Sequence, residues 1–83
     1  MIFEKLPDNF ETTAEEGDYL VKLVDEDSGA FAGFITIGVR DLETGREIFD
    51  LDADVYGTLM NFDFSSRRNM KYYIARIPST HAI

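Results

Sequence analysis

Eighty-three residues with a formal net charge of −8 and no cysteine make a short acidic chain from which disulfides, thiolate nucleophiles and the soft ligands of structural zinc sites are excluded at once. With 45% apolar and 13% aromatic residues, seven of them Phe, a core is well supplied and wholesale disorder is disfavoured, so one small globular domain over residues 1–83 is expected. Met1-Ile2-Phe3 is broken by Glu4 and Lys5, which leaves no signal-peptide or membrane-spanning pattern and favours a cytoplasmic protein without membrane partners.

In chain order, residues 2–6 are apolar enough for a short strand, and Pro7-Asp8-Asn9 reads as a turn. Thr12 and Thr13, each followed three residues on by an acid (Glu15, Glu16), form two overlapping capping-box patterns. Gly17 follows so soon that only one turn fits, and a turn or short 3-10 piece is predicted there. Residues 19–24, Tyr-Leu-Val-Lys-Leu-Val, are β-branched and aromatic and end at Asp25-Glu26-Asp27-Ser28-Gly29, a strand followed by a loop. Residues 31–40 form the next predicted strand.

Asp41-Leu42-Glu43-Thr44-Gly45-Arg46-Glu47 carries the strongest local pattern, because Gly45 supplies the left-handed residue of a type I turn with a G1 bulge. Placing Leu42 opposite Arg46 pairs Val39 with Phe49, Ile37 with Leu51 and Ile35 with Ala53 on one apolar face. The other face then pairs Arg40 with Ile48, Gly38 with Asp50, Thr36 with Asp52 and Phe34 with Asp54. In that register three aspartates form an outward stripe, about 7 Å between alternate members.

A further strand is predicted at about residues 58–64. Residues 70–77 suit either period: Met70, Tyr73, Ile74 and Ile77 lie on a helical stripe, whereas Tyr72, Tyr73 and Ile74 favour a strand. Arg67 and Arg68 would oppose the dipole at a helix N-terminus, which favours the strand. Pro78 ends the element, and residues 79–83 are expected to fray. The resulting expectation is a mainly β fold, about five antiparallel strands in a meander that forms a small barrel or strongly twisted sheet. The alternative is an α+β fold with a helix at about residues 66–77 packed on the sheet.

Charge is the clearest functional feature. Fifteen of the sixteen acids precede Val55, while Arg67, Arg68, Lys71 and Arg76 are four of the eight bases. Asp50, Asp52 and Asp54 begin like a calcium loop, but Val55 and Asn61 stand where an EF-hand needs its glycine and bidentate acid. Neither a metal nor a cofactor is expected. Asp25, Glu26 and Asp27 form a second acidic run, adequately explained by solubility, yet the two regions together would make a negative field suited to a basic protein surface. Phe34 shares the outward parity of the aspartates and is the candidate apolar anchor, with burial in the core as its ordinary alternative.

No residue pattern supports catalysis: the single histidine, His81, is near the end and no Ser or Thr sits in an activating motif. The expected function is therefore a small acidic, non-enzymatic protein-binding module of inhibitor or adaptor type that engages a basic partner, its acidic surface imitating a nucleic-acid backbone. Small acidic phage-encoded inhibitors of host enzymes offer an analogy of size and charge alone. Two other classes compete: a homo-oligomer subunit whose basic end meets a neighbour's acidic body, and a single-stranded nucleic-acid binder using Arg67, Arg68, Lys71, Tyr72 and Arg76. The net charge argues against the last.

Overall fold

Alternation places Tyr19, Val21 and Leu23 on one side of a strand and Ile35, Ile37 and Val39 on one side of the next. A computed structural model, describing residues 2–52 and 60–78, brings these two sets together as the floor of the core. The elements run β1 (Glu4–Lys5), α1 (Phe10–Thr13), β2 (Gly17–Asp25), β3 (Phe31–Leu42), β4 (Gly45–Asp50), β5 (Met60–Asn61), a 3-10 turn (Phe64–Ser66) and β6 (Met70–Arg76). All pairings are antiparallel, in the order β1-β6-β2-β3-β4-β5.

The mainly β expectation holds, in its twisted-sheet form. Among the described residues the sheet is open, with β1 and β5 at its ends, so the barrel version does not apply. The meander covers β2 to β5 only, because β6 crosses back to the other side of β2. Residues 70–76 are strand throughout, which removes the C-terminal helix: Ile74 is buried against β2 while Lys71 stays exposed, the two-residue period of a sheet. Of the strand predicted at residues 58–64, Met60–Asn61 is paired and Phe64 instead opens the 3-10 turn; residues 58 and 59, like the tail at residues 79–83, lie outside the described residues.

The single helical turn comes earlier than the capping boxes implied. Asn9 precedes it, and the Thr12 and Thr13 hydroxyls donate back to the Asn9 carbonyl at 3.0 and 2.9 Å instead of capping a later start. Its role is to deliver Phe10 onto the sheet. Phe10 meets Tyr19 edge-on at 5.3 Å and Phe64 at 6.0 Å, and Phe64 continues to Phe62 (4.7 Å) and Tyr72 (5.2 Å). Edge-to-face pairs of this kind add about 0.5–1.5 kcal/mol each beyond burial. The α1 turn and the 3-10 turn thus cover one face of the sheet with rings, while Val21, Ile37 and Val39 beneath have no exposure.

The β3–β4 register differs by one residue from the expected one. Leu42 pairs directly with Gly45, Val39 with Ile48, Gly38 with Phe49 and Ile37 with Asp50, without a bulge. Gly45 does take a left-handed φ of 130°, but inside the pair and not as an unpaired third loop residue. A one-residue slip exchanges the faces of a strand. Ile48 therefore joins the core beside Val39, and Phe49 and Leu51 take the parity of Gly38. The missing side chain at Gly38 makes room for this, since a Cβ there would lie 3.1 Å from Leu51 Cδ2.

Two arginines bind the start of β2. Arg40 Nη2 reaches Asp18 Oδ1 at 2.7 Å and its Nη1 donates to the Gly17 carbonyl at 3.1 Å, while Arg76 pairs with Glu15 and donates to the Glu16 carbonyl. Such exposed pairs contribute about 0–1 kcal/mol each. Core burial decides stability instead. Ile37→Ala should lower the unfolding free energy by about 2–5 kcal/mol, a large share of the roughly 4–12 kcal/mol that a chain of this length holds in total. A urea unfolding midpoint unchanged in that variant would remove Ile37 from the centre of the core.

Candidate functional site

The second face of the sheet is not the acidic stripe that strand parity implied. Simple alternation would set Phe31 and Phe34 on opposite sides, but the β2–β3 ladder shifts between Leu23 and Val24, so that Leu23 pairs with Gly33 and Val24 with Phe31. Ala32 is the extra residue, and Gly33 takes φ 140° beside it. The bulge turns Phe31 onto the side of Phe34, and their rings lie 4.9 Å apart. Phe3 reaches the same pair, 6.0 Å from Phe34. Phe31 is 58% and Phe34 51% exposed, so the anchor ring expected at Phe34 is on the surface and has a partner in Phe31 that parity alone missed. A glycine inside a strand is the feature that marks such a bulge.

Cross-strand register builds the surroundings. Lys5 of β1 lies opposite Tyr73 of β6, Tyr73 opposite Lys22 of β2, and Lys22 opposite Phe34 of β3, a single row across four strands. One row along, Lys71, Val24 and Phe31 align. Directly paired side chains share a face, so all three lysines of the chain stand on the aromatic side. None forms an ion pair among the described residues.

Several of the acids singled out by the sequence are bound to the backbone. β4 accompanies β3 only from Ile37 onward, and where it stops, Asp52 Oδ2 accepts the Thr36 N–H at 3.1 Å in place of a strand carbonyl. Asp50 is half-buried opposite Ile37, and its Oδ1 accepts the Asp52 N–H at 3.0 Å. The two are thus stacked turn acceptors and not members of an even outward stripe; Asp54 lies outside the described residues. Asp25 Oδ1 likewise accepts the Asp27 and Ser28 N–H groups, both at 2.9 Å, closing the loop that leads to Phe31. Glu26 and Asp27 keep exposed carboxylates, and the Glu26 N–H donates to the Asn69 carbonyl at 2.8 Å. Glu26 and Asp27 thus lie in the loop that leads to the aromatic pair, and Asp52 lies at the sheet edge beside Thr36.

The basic and aromatic cluster of the C-terminal region does not assemble into one site. Tyr72 faces the core, where its single hydroxyl proton is shared between the Phe64 and Arg67 carbonyls, both at 3.0 Å, and burial pushes its pKa up. Arg76 is engaged by Glu15 and the Glu16 carbonyl and lies over Tyr19. Lys71 is on the other face with Tyr73, and Arg67 sits over the Phe62 ring at 5.7 Å with Arg68 exposed beside it. A cleft of about 370 Å³ was not foreseen from the sequence: Phe10, Phe64 and Tyr72 are among its lining residues, together with Lys5, Lys71 and Glu26. Its walls come from β1, α1, the 3-10 turn, β6 and the β2–β3 loop, a convergence that no local pattern encodes.

Two loop carboxylates carry a pH prediction. The backbone N–H of Ser28 holds Asp25 below its ordinary value of 3.8, and the Ser65 hydroxyl and N–H do the same for Asp63. A depressed folded-state pKa contributes stability that is fully present above the unfolded value and is lost as pH falls through the folded one. Carboxyl titration by NMR should therefore place both midpoints below 3.8, with the turn amide shifts of Ser28 and Ser65 following them; midpoints at the ordinary value would contradict the turn geometry. No family model, no curated protein and no solved structure matches this chain.

Proposed function

We propose that this chain is a non-enzymatic protein-binding module of inhibitor or adaptor type, whose anchor is the exposed Phe31–Phe34 pair and whose acids Glu26, Asp27 and Asp52 meet a basic partner surface. The observation that supports it is the pair itself: two phenylalanine rings in tilted contact, each more than half exposed, on a chain with enough other apolar residues to fill its core without them. Large exposed rings amid charges are the usual composition of a binding anchor, in which rings provide affinity and charges set orientation and association rate. The acids stand in two separate places instead of forming a phosphate-like row, which favours a protein partner over the imitation of nucleic acid.

The basic face offers less to a polynucleotide. Its three lysines belong to a chain of net charge −8, and a screening length of about 8 Å at physiological salt does not isolate them from the chain's acids.

Comparison of the wild-type chain with a Phe31→Ala/Phe34→Ala variant as immobilised baits tests the reading. Loss of the anchor should weaken capture of its partner by about 2 kcal/mol, roughly thirtyfold, and Glu26→Gln/Asp27→Asn/Asp52→Asn should weaken it further at low salt than at high salt. Both bait variants should retain the wild-type circular dichroism spectrum. A set of captured proteins indifferent to both variants would reject this surface as the binding site.

A further inference from the structure

Tyr73 stands between two lysines. It lies directly opposite Lys5 of β1 on one side and Lys22 of β2 on the other, and Lys22 in turn lies opposite Phe34. Paired side chains on one face are about 5 Å apart, so the two flexible lysine stems rise about 10 Å from each other with the phenol ring between them and can close on one group above it. The neighbouring row, Lys71, Val24 and Phe31, adds a third cation. We infer that this part of the aromatic face is the seat of a carboxylate-bearing segment of the partner, with an acidic side chain over Tyr73 between Lys5 and Lys22 and an apolar one on the Phe31–Phe34 rings. This names the partner's chemistry and rests on the protein-binding reading of that surface.

Parity carries the charge argument. Among the residues of β1, β6, β2 and β3 that share this face, the single acid is Asp18, which lies toward the opposite end of β2 and is bound by Arg40 at 2.7 Å. The other acids nearby are placed elsewhere. Asp8 and Glu11 belong to the segment that carries α1 over the core side, Glu26 follows the end of β2 and lines the edge cleft, and Asp52 is held at the edge of β3 by the Thr36 N–H. Three cations give this face a charge opposite to the chain's own net −8, and complementarity calls for carboxylates on the incoming surface. The partner's basic groups are left to the loop at Glu26 and Asp27 and to the edge at Asp52.

The rings favour a protein segment over a nucleic acid. Phe31 and Phe34 meet at 56° and Phe3 and Phe34 at 33°, so they form one tilted apolar cluster instead of separate, parallel platforms for stacked bases. A polynucleotide also carries a charge at every step and would run phosphates past the lysines onto the surrounding acids, whereas a protein segment sets its carboxylates only over Lys5 and Lys22.

Selection of random linear peptides displayed on phage against the wild-type chain at low salt tests this. Enriched sequences should carry Asp or Glu next to an apolar residue. A synthetic copy of the best of them should lose about tenfold in affinity with Phe34→Ser and about tenfold with Lys5→Glu/Lys22→Glu, the second loss shrinking at high salt. The same peptide with its acids replaced by lysine should bind Lys5→Glu/Lys22→Glu more tightly than the wild type. Circular dichroism and urea midpoints establish that both variants are folded, and amide shifts of the wild type on peptide addition, centred on Lys22, Phe34 and Tyr73, give a reading independent of them.

Enriched peptides no more acidic than the starting library overturn the proposal, as do acidic peptides that bind Lys5→Glu/Lys22→Glu as well as the wild type, or oligothymidylate binding more tightly than any peptide through the same lysines. If the enriched peptides depend on Phe31 and Phe34 but are neutral or basic, the carboxylate seat fails and the binding module stands. If no enriched peptide depends on either ring, both readings fail.

Discussion

The mismatch in length between neighbouring strands governs this structure. β3 runs for twelve residues and β4 for six, so β2 supports β3 along nearly its whole length while β4 supports only the half beginning at Ile37. Backbone N–H groups without a neighbouring strand need another acceptor, and the Asp52 carboxylate supplies one at Thr36. The half without a neighbour on that side among the described residues is also the half that carries Phe31 and Phe34. Strand pairing, acid placement and ring exposure are therefore consequences of one geometric fact.

The two faces of the sheet solve different problems with similar residues. On the core side, rings from α1 and the 3-10 turn close over Val21, Ile37 and Val39 in a chain of edge-to-face contacts. In a chain of this length such contacts matter, because the core is small relative to the surface it must outweigh. On the other side, rings are presented instead of covered, and strand register sets the lysines along their β2 side. The division follows from the two-residue period of the strands, modified at one point by the bulge at Ala32.

How far the sequence disclosed this depends on whether each feature is local. The core parity of Ile35, Ile37 and Val39 is periodic within a single strand and is as expected, and Tyr19, Val21 and Leu23 follow the same two-residue period. The hairpin at Gly45 was visible, but its register was not: pairing Gly45 with Leu42 or leaving it unpaired differs by one residue, and the choice is made by Ile48 entering the core and Leu51 filling the space at Gly38. Phe34 was legible as an outward ring, whereas Phe31 was not, since its direction depends on an inserted residue. The return of β6 to β2 was equally hidden, because pairing across half the chain leaves no trace in local composition. Asp25, Asp50 and Asp52 stood out as charges; their work as acceptors for backbone amides becomes apparent only when the turns they close are seen.

Among the described residues, the part of β3 before Ile37 has no neighbouring strand on its β4 side. An unpaired edge bearing aromatic side chains is the kind of template on which chains stack edge to edge into aggregates. Here the Ala32 bulge breaks the regular spacing of that edge, and the Asp52 carboxylate occupies one of its amides while placing a negative charge in the path of any incoming strand. The same carboxylate that completes the fold locally thus sets a charge at this edge, the kind of device by which sheet proteins discourage edge-to-edge pairing.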